Sequence, residues 1–402
     1  MRSAREAAFL AIAHFDEIPI HEALPTLGVK REDLALAREI AAGTVKRLLT
    51  LKYFAKKLAP KLRLGRKEKA LLFSAIYQYV FMKKIPLYAI VDETTTLAKK
   101  HFGEKKGNFF HAVLRKLEAF SPEVPGKNNA FDLSLRLSYP PYFIKKMLEE
   151  YGVKKTIQLL DVMNNPGKVM ARIRKPSLQK APHIRKVHKE VFIIEKDLLS
   201  WVERAEAYVQ NVTPVLLFEA LSKKLKRSPK RILDLCASPG GKLLLCHDRF
   251  PGALLEANDV STKKMERLHE NVQKYGISAQ LHTQKGETFS SKERFDLIIL
   301  DAPCSNSGVY HKRAEARWRF CPDRLEDLSD LQASILENAQ KYLSEEGQIW
   351  YMTCSILSEE NEATVNYAES LGLRRLVEKK ILPSDQGADG GFAASFVRDK
   401  KR

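Results

Sequence analysis

The pattern of apolar and polar positions divides the chain into a helical first part and a second part of alternating strands and helices. Over residues 1 to about 120, apolar residues recur at three- and four-residue steps. Leu34-Ala-Leu-Ala-Arg-Glu-Ile-Ala-Ala-Gly-Thr-Val-Lys-Arg-Leu-Leu49 shows this spacing, which lines one face of an α-helix. The run Ala70-Leu-Leu-Phe-Ser-Ala-Ile-Tyr-Gln-Tyr-Val-Phe81 is apolar nearly all round and predicts the central helix of a bundle. Further helices are expected after Pro86 and over Asn108 to Leu117.

A cluster of breakers, Ser121-Pro-Glu-Val-Pro-Gly-Lys-Asn-Asn129, predicts a domain boundary. Between about 130 and 200 the pattern is mixed. Short helices are expected over Tyr142–Tyr151 and Lys155–Met163, and strands over Val169–Arg174 and Glu190–Ile194. From about 205, strands are expected at Arg231–Ala237, Ala253–Ala257, Ala279–His282, Phe295–Leu300, Gln348–Met352 and Gly391–Val397. Helices should start at Leu243 and run over Thr262–Tyr275, about 324–343 and Asn361–Ser370. Such alternation gives a mostly parallel sheet with helices on both faces. The expected fold is multidomain: an all-α domain over 1–122, a small α+β linker module over 123–204, and an α/β Rossmann-like domain over 205–402.

Two of these strands end alike. Phe295–Leu300 gives way to Asp301-Ala-Pro-Cys-Ser305, and Gln348–Met352 to Thr353-Cys-Ser355. An apolar strand that stops in a polar, proline-broken loop places that loop at the carboxyl edge of the sheet, where open α/β sheets bind ligands. Two such loops, each with a cysteine and one with an aspartate, suggest paired thiols over a planar substrate.

At 402 residues, with 44% hydrophobic and 29% charged content, the chain suits a globular protein of two or three domains. No apolar run approaches the roughly 20 residues of a membrane helix. The start, Met1-Arg-Ser-Ala-Arg-Glu6, lacks a cleavable signal pattern, so a cytoplasmic protein without a membrane partner is expected. The net charge is +19, from 68 Lys+Arg against 49 Asp+Glu. An excess of this size points to a polyanion partner, though charge alone does not choose between RNA, DNA and membrane. Residues 1–120 carry 23 Lys+Arg against 12 Asp+Glu, and Lys56, Lys57, Lys61, Arg63, Arg66, Lys67 and Lys69 surround the single acid Glu68. RNA backbone is the expected partner of this run.

The five cysteines are Cys236, Cys246, Cys304, Cys321 and Cys354. Their number is odd and no Cys-x-x-Cys pair exists, which argues against a disulfide framework and a zinc site. No metal is expected. Asp234-Leu-Cys-Ala-Ser-Pro-Gly-Gly-Lys242 reads as a strand–turn–helix junction whose glycines let backbone N–H groups approach a ligand at a helix amino terminus. Leu243 stands where a phosphate-binding loop needs its hydroxyl. Asp259, nineteen residues after Gly240, ends the second strand and suits a ribose diol. An adenosine-containing ligand without a triphosphate is expected.

Three segments carry a resemblance: Leu233-Asp-Leu-Cys-Ala-Ser-Pro-Gly-Gly-Lys242, Asp301-Ala-Pro-Cys-Ser305 and Thr353-Cys-Ser-Ile-Leu-Ser-Glu-Glu-Asn361. They are similar to the signature motifs of the RsmB/Sun/Fmu family of S-adenosylmethionine-dependent RNA cytosine-5 methyltransferases. Glu39-Ile-Ala-Ala-Gly-Thr-Val-Lys-Arg-Leu-Leu49 and Phe110-His-Ala-Val-Leu-Arg-Lys-Leu117 resemble the NusB-like RNA-binding domain of its bacterial ribosomal-RNA members.

The resemblance implies methyl transfer from S-adenosylmethionine to C5 of a cytosine in RNA, with small-subunit ribosomal RNA as the expected substrate. A monomer is expected, although the sequence does not give the oligomeric state. It implies Cys354 as the nucleophile at C6, Cys304 as the thiol that assists adduct breakdown, and Asp301 as the acid near N3. It places the cofactor on Cys236, Ala237, Ser238, Pro239, Gly240, Gly241 and Lys242, and on Asp259, Glu287 and Asp301. Spacing alone does not say which cysteine attacks. Thiolate addition at C6 would make C5 nucleophilic enough to take a methyl group, the usual advantage of covalent catalysis. The target base must leave its stack to meet both thiols.

Departures from the family pattern cluster at the ligand-facing loops. Ser238 replaces the usual alanine, Lys264 a typical arginine, and Glu287 an aspartate. Asn306-Ser307 stands where Gly-Thr or Ala-Thr is common, and Arg313-Ala-Glu-Ala-Arg-Trp318 where His-Pro-Asp-Ile-Lys-Trp is usual. Lys312, Arg313, Arg317 and Arg319 flank Tyr310 and Trp318, an arrangement that suits RNA backbone and base stacking. The competing readings are a transfer-RNA cytosine-5 methyltransferase and a catalytically inactive RNA-binding assembly factor.

Overall fold

A computed structural model describes residues 1–61 and 63–399. They form two compact units: Met1–Asn164 with Tyr310–Phe320, and Asn165–Val309 with the chain from Cys321 onward.

The first unit is helical. Its central helix, Arg66–Phe81, is buried at every position from Ala70 to Gln78, as its all-round apolar sequence requires. Helices Ala4–Ala13, Leu34–Lys46, Leu48–Leu58 and Leu87–Phe102 pack against it. Gly43 sets the closest of these crossings, because a Cβ there would lie 2.0 Å from the Tyr77 ring. The Tyr77 hydroxyl donates to Glu39 Oε1 at 2.8 Å across the same crossing. Glu104–Arg115, Ala130–Leu137 and Pro141–Asn164 follow. The last is broken at Gly152, whose φ of 68° splits it into the two helices that the sequence predicts. Part of the basic run meets acids: Arg66 pairs with Asp16 and Glu17, and Glu68 pairs with Lys106 at 2.8 Å.

The segment Tyr310–Phe320 belongs to this unit and corrects one expectation. Arg317 and Tyr310 do not face a ligand; both are completely buried. Arg317 donates to the carbonyls of Lys46 and Ser138 and to Asn164 Oδ1 at 3.0–3.3 Å, and its guanidinium lies 3.9 Å from the Tyr139 ring centroid. The Trp318 indole donates to the Val45 carbonyl at 2.8 Å. Cation and aromatic residues in alternation serve here as the polar centre of a core. Lys312, Arg313 and Arg319 are exposed.

The second unit contains two sheets. Strands β1 (Met170–Ile173), β2 (Ile184–His188), β3 (Val191–Ile194) and β4 (Ala207–Val209) form a small sheet of order β2-β3-β1-β4. The large sheet contains β5 (Arg231–Asp234), β6 (Leu254–Asn258), β7 (Ala279–His282), β8 (Phe295–Asp301), β9 (Leu343–Thr353), β10 (Leu373–Ile381) and β11 (Gly391–Arg398). Its order is β10-β11-β9-β8-β5-β6-β7. Strands β5 to β9 run parallel, and β10 and β11 close the β9 side as an antiparallel pair.

Alternation along the strands builds two cores. Ile232, Leu297, Ile299, Trp350 and Met352 pack with Leu217, Leu244 and Leu268 on one face. Leu233, Ile298, Leu300, Ile349 and Tyr351 pack with Ile335, Leu336 and Val365 on the other. Helices Val212–Ser222, Gly241–Arg249 and Thr262–Lys274 therefore cover one face, and Pro322–Gln340 and Glu362–Ser370 the second. Each such buried side chain contributes about 1.5–3 kcal/mol, which fixes the sheet whose edge carries the site.

Candidate active site

The chain leaves β5 towards β6 and β7, then returns to place β8 on the other side of β5. The carboxyl ends of β5 and β8 thus flank the point where strand order reverses, the crevice that α/β sheets use for ligands. Asp234 ends β5 and Asp301 ends β8.

The loops after β8 and β9 bring the two cysteines together. Cys304 Sγ and Cys354 Sγ are 3.2 Å apart and both residues are half-buried. Cross-links hold the loops in place. Ser307 Oγ and Ser355 Oγ are 2.8 Å apart, and the Gly308 N–H donates to the Cys354 carbonyl at 2.9 Å. Thr353 Oγ1 donates to Asn361 Oδ1 at 2.6 Å, and Asn361 Nδ2 donates to the Ser355 carbonyl at 3.1 Å. The hydrogen bond with Cys354, reinforced by burial, pushes the Cys304 thiol well above its usual pKa.

Asp301 pairs with Lys242 at 2.5 Å. Burial works to lower the pKa of the Lys242 ammonium, but the charge and hydrogen bond of Asp301 and then the charge of Asp234 outweigh it and the net shift is upward. Asp234 is completely buried, and neither carboxylate oxygen has a hydrogen-bond partner among the described residues. Burial and then the Asp301 charge push its pKa up to about 7, against the pull of Lys242.

The cofactor-loop residues fold as one turn. Gly240 has φ 104° and precedes the helix Gly241–Arg249. The Ala237 N–H donates to the Asn258 carbonyl at 2.8 Å. Asn271 Nδ2 donates to the Pro239 carbonyl at 2.7 Å, and Ser238 Oγ to the Lys264 carbonyl at 2.9 Å. Asp259 lies just past β6. Its carboxylate accepts the Ser238 N–H at 3.3 Å and the Ser261 N–H at 3.2 Å, and faces Lys264 Nζ at 3.7 Å. Cys236 presents backbone here, while burial and the Asp234 charge push its thiol well up. Glu287 lies on the short turn Gly286–Thr288 beyond β7, and its carboxylate makes no hydrogen bond or ion pair among the described residues. These residues fit a cationic adenosine ligand. The orphaned Asp234 carboxylate supplies acceptors, the glycine turn supplies a helix amino terminus, and Asp259 has lone pairs left for hydroxyls.

Sequence reasoning assigned nothing to Glu360, Asn306 or Gln332. Glu360 is completely buried, and its carboxylate accepts from the Ser305 backbone and hydroxyl and from Gln332 Nε2 at 3.3 Å. Asn306 touches both cysteines. The one signal for Glu360 was its place inside the third motif; for Asn306 it was a departure from the usual pattern.

A parallel five-stranded core with an antiparallel hairpin, and a glycine turn and ribose-type acid at the switch point, define an S-adenosylmethionine-dependent methyltransferase. Residues 224–375 match the family of 16S rRNA methyltransferases RsmB/F, and residues 2–119 match the NusB family. The chain thus carries an RsmB/F-type methyltransferase domain and, at its amino-terminal end, a NusB-type helical domain. The ribosomal RNA small subunit methyltransferase B of Vibrio cholerae is 27% identical over 91% of this chain and 90% of its own length. That of Serratia proteamaculans is 25% identical over 93% of both. Among solved structures, PH0851 superposes with a TM-score of 0.81 at 20% identity over 98% of each chain. A methyltransferase homologue from Pyrococcus horikoshii superposes at 0.59 and 21% identity over 68% of this chain and all of its own.

Proposed function

We propose that the protein methylates C5 of a cytosine in small-subunit ribosomal RNA through a covalent adduct between Cys354 and C6. The observation that carries this reading is the pair of thiols 3.2 Å apart at the switch-point edge, with Asp301 at the end of the strand that leads into the Cys304 loop. Curated relatives covering nine-tenths of the chain are named for small-subunit ribosomal RNA, which favours that substrate.

Cys354 Sγ bonds to C6 as a thiolate, and Asp301 supplies hydrogen bonding or a proton at N3 as the ring loses aromaticity. S-adenosylmethionine, when bound, supplies the electrophilic methyl group that C5 takes. Loss of the C5 proton then expels the Cys354 thiolate and restores the ring, a step assisted by Cys304. Cys236, Ala237, Ser238, Pro239, Gly240, Gly241, Lys242, Asp259, Glu287 and Asp301 would hold the donor. The helical residues 1–122 and the module 123–204 would carry the RNA to the domain 205–402. The acting form is a monomer, without a metal.

The test is transfer of labelled methyl from S-adenosylmethionine to ribosomal RNA, with the modified base mapped by bisulfite sequencing. Cys354→Ser should abolish transfer while donor binding persists. Cys304→Ala should accumulate an RNA–protein adduct, seen as a shifted band on a denaturing gel. Methylation confined to transfer RNA, or RNA binding without any transfer, would overturn the assignment.

A further inference from the structure

The two thiols differ in their contacts through Asn306, and the inference rests on the proposed function only in taking Cys354 as the reacting thiol. Asn306 has φ +60°, a left-handed conformation that asparagine tolerates better than most residues with a side chain. Its Nδ2 donates to the Cys304 carbonyl at 3.0 Å. A carbonyl only accepts, so this bond sets the orientation of the amide. Oδ1 then faces Cys354 Sγ at 3.3 Å and accepts its proton.

A thiol has one proton to give. With that of Cys354 committed to Asn306, Cys304 is the donor in the 3.2 Å contact between the sulfurs. The bonds close a ring: Cys304 S–H to Cys354 Sγ, Cys354 S–H to Asn306 Oδ1, and Asn306 Nδ2–H to the Cys304 carbonyl.

We propose that Asn306 is a positioning residue that orders the protons of this pair, holding resting Cys354 as a thiol and leaving Cys304 as the donor to the Cys354 thiolate. When Cys354 loses its proton, the facing Oδ1 turns from acceptor to repulsive neighbour, while the bond from Cys304 gains charge and strengthens. The pair is unequal because the bond from Cys304 favours Cys354 as the anion and keeps Cys304 neutral, while Asn306 holds that ionisation back until the proton is taken.

The other titratable groups that act on Cys354 are Cys304 and Lys242; behind them Glu360 and Tyr351 interact with Cys304, and Asp301 with Lys242. All are unchanged when only Asn306 is replaced, so a difference between variants isolates the amide.

The experiment is the pH dependence of Cys354 alkylation by iodoacetamide, mapped by mass spectrometry on the full chain without RNA or donor. Asn306→Gly suits the left-handed backbone and should fold normally. It should move the half-reaction pH of Cys354 down by about one unit, giving about tenfold faster alkylation below the midpoint. Asn306→Asp should move it up, because a carboxylate then faces the thiolate. Cys304→Ala should also move it up, by removing the donor. A midpoint unmoved or raised in Asn306→Gly, or a midpoint unmoved or lowered in Cys304→Ala, would overturn the proposal. The assay needs no methyl transfer, so failure of the proposed function would appear in the transfer assay and not here.

Discussion

The carboxylate of Glu360 accepts the Ser305 N–H at 2.7 Å and the Ser305 hydroxyl at 2.6 Å. A group with no exposed surface thus anchors the residue next to Cys304. Burial pushes the Glu360 pKa up, and the Ser305 and Gln332 donors pull against that shift. A buried carboxylate is tolerated only because such donors meet it.

Glu360→Gln keeps the volume but can accept only one of the two Ser305 bonds. The loss should cost about 1–3 kcal/mol of stability, read as a lower urea midpoint. Because the loop carries Cys304, the variant should also accumulate the RNA–protein adduct on a denaturing gel. Unchanged stability and turnover would show that Glu360 does not hold the loop.

Asp234 gives the chain a pH dependence of unusual sign. Its pKa is about 7 in the fold against 3.8 ordinarily, so the native state binds more protons than the unfolded one between those values. Stability from this group is therefore fully present below about pH 4 and falls as pH rises towards 7. Asp234→Asn removes the buried charge and should flatten that fall. At pH 8 the variant should be more stable by roughly 2–4 kcal/mol, measured as the difference in urea unfolding between pH 5 and pH 8. A wild-type profile in the variant would count against this account.

Much of the fold is visible in the sequence because parallel strands buried on both faces read as unbroken apolar runs. Phe295–Leu300 and Gln348–Met352 are of this kind, and their loops point to the site. Strand β10 is not visible. Leu373-Arg-Arg-Leu-Val-Glu-Lys-Lys-Ile381 is a charged edge strand, paired on one side by β11 alone, and its composition matches a solvated loop. The stretch around Arg317 misleads for a related reason: an arginine between aromatics looks the same whether it meets RNA or fills a core. Glu360 lies in a polar segment, and only tertiary folding buries it.

Arg317 tests that distinction. Its guanidinium serves the Lys46, Ser138 and Asn164 oxygens inside the helical unit. Burial, then the Arg317 charge, lowers the Lys46 pKa to about 8. Arg317→Met should leave those acceptors unmet, at a cost of about 1–3 kcal/mol, while returning Lys46 towards its ordinary value. The salt dependence of RNA binding should be unchanged, since no phosphate contact is lost. A shallower salt slope, by about one unit, with stability intact, would return Arg317 to the RNA surface.

Gly308, in the loop of Cys304, and Gly390 approach each other closely through their backbones. The Gly390 N–H donates to the Gly308 carbonyl at 2.9 Å, and a Cβ on Gly308 would lie 2.7 Å from three Gly390 backbone atoms. The Gly390 side cannot move freely. Asn211 Nδ2 donates to the Gly387 carbonyl at 2.8 Å, Asn211 Oδ1 accepts the Asp389 N–H at 2.9 Å, and Thr213 Oγ1 donates to the Asp389 carbonyl at 2.7 Å. The strain of Gly308→Ala must therefore fall on the loop of Cys304, or on Cys354, whose carbonyl accepts the Gly308 N–H. A displacement of about 1 Å at reacting groups costs on the order of 100-fold in rate, and overpacking costs about 1–3 kcal/mol in stability. The expected result is methyl transfer reduced by that order with donor affinity nearly unchanged, because the turn from Cys236 to Lys242 is held by separate contacts with Asn258, Asn271 and Asp259. Transfer kinetics and donor titration on the same preparation separate the two. Wild-type kinetics in Gly308→Ala would mean that the thiol loops do not depend on this contact.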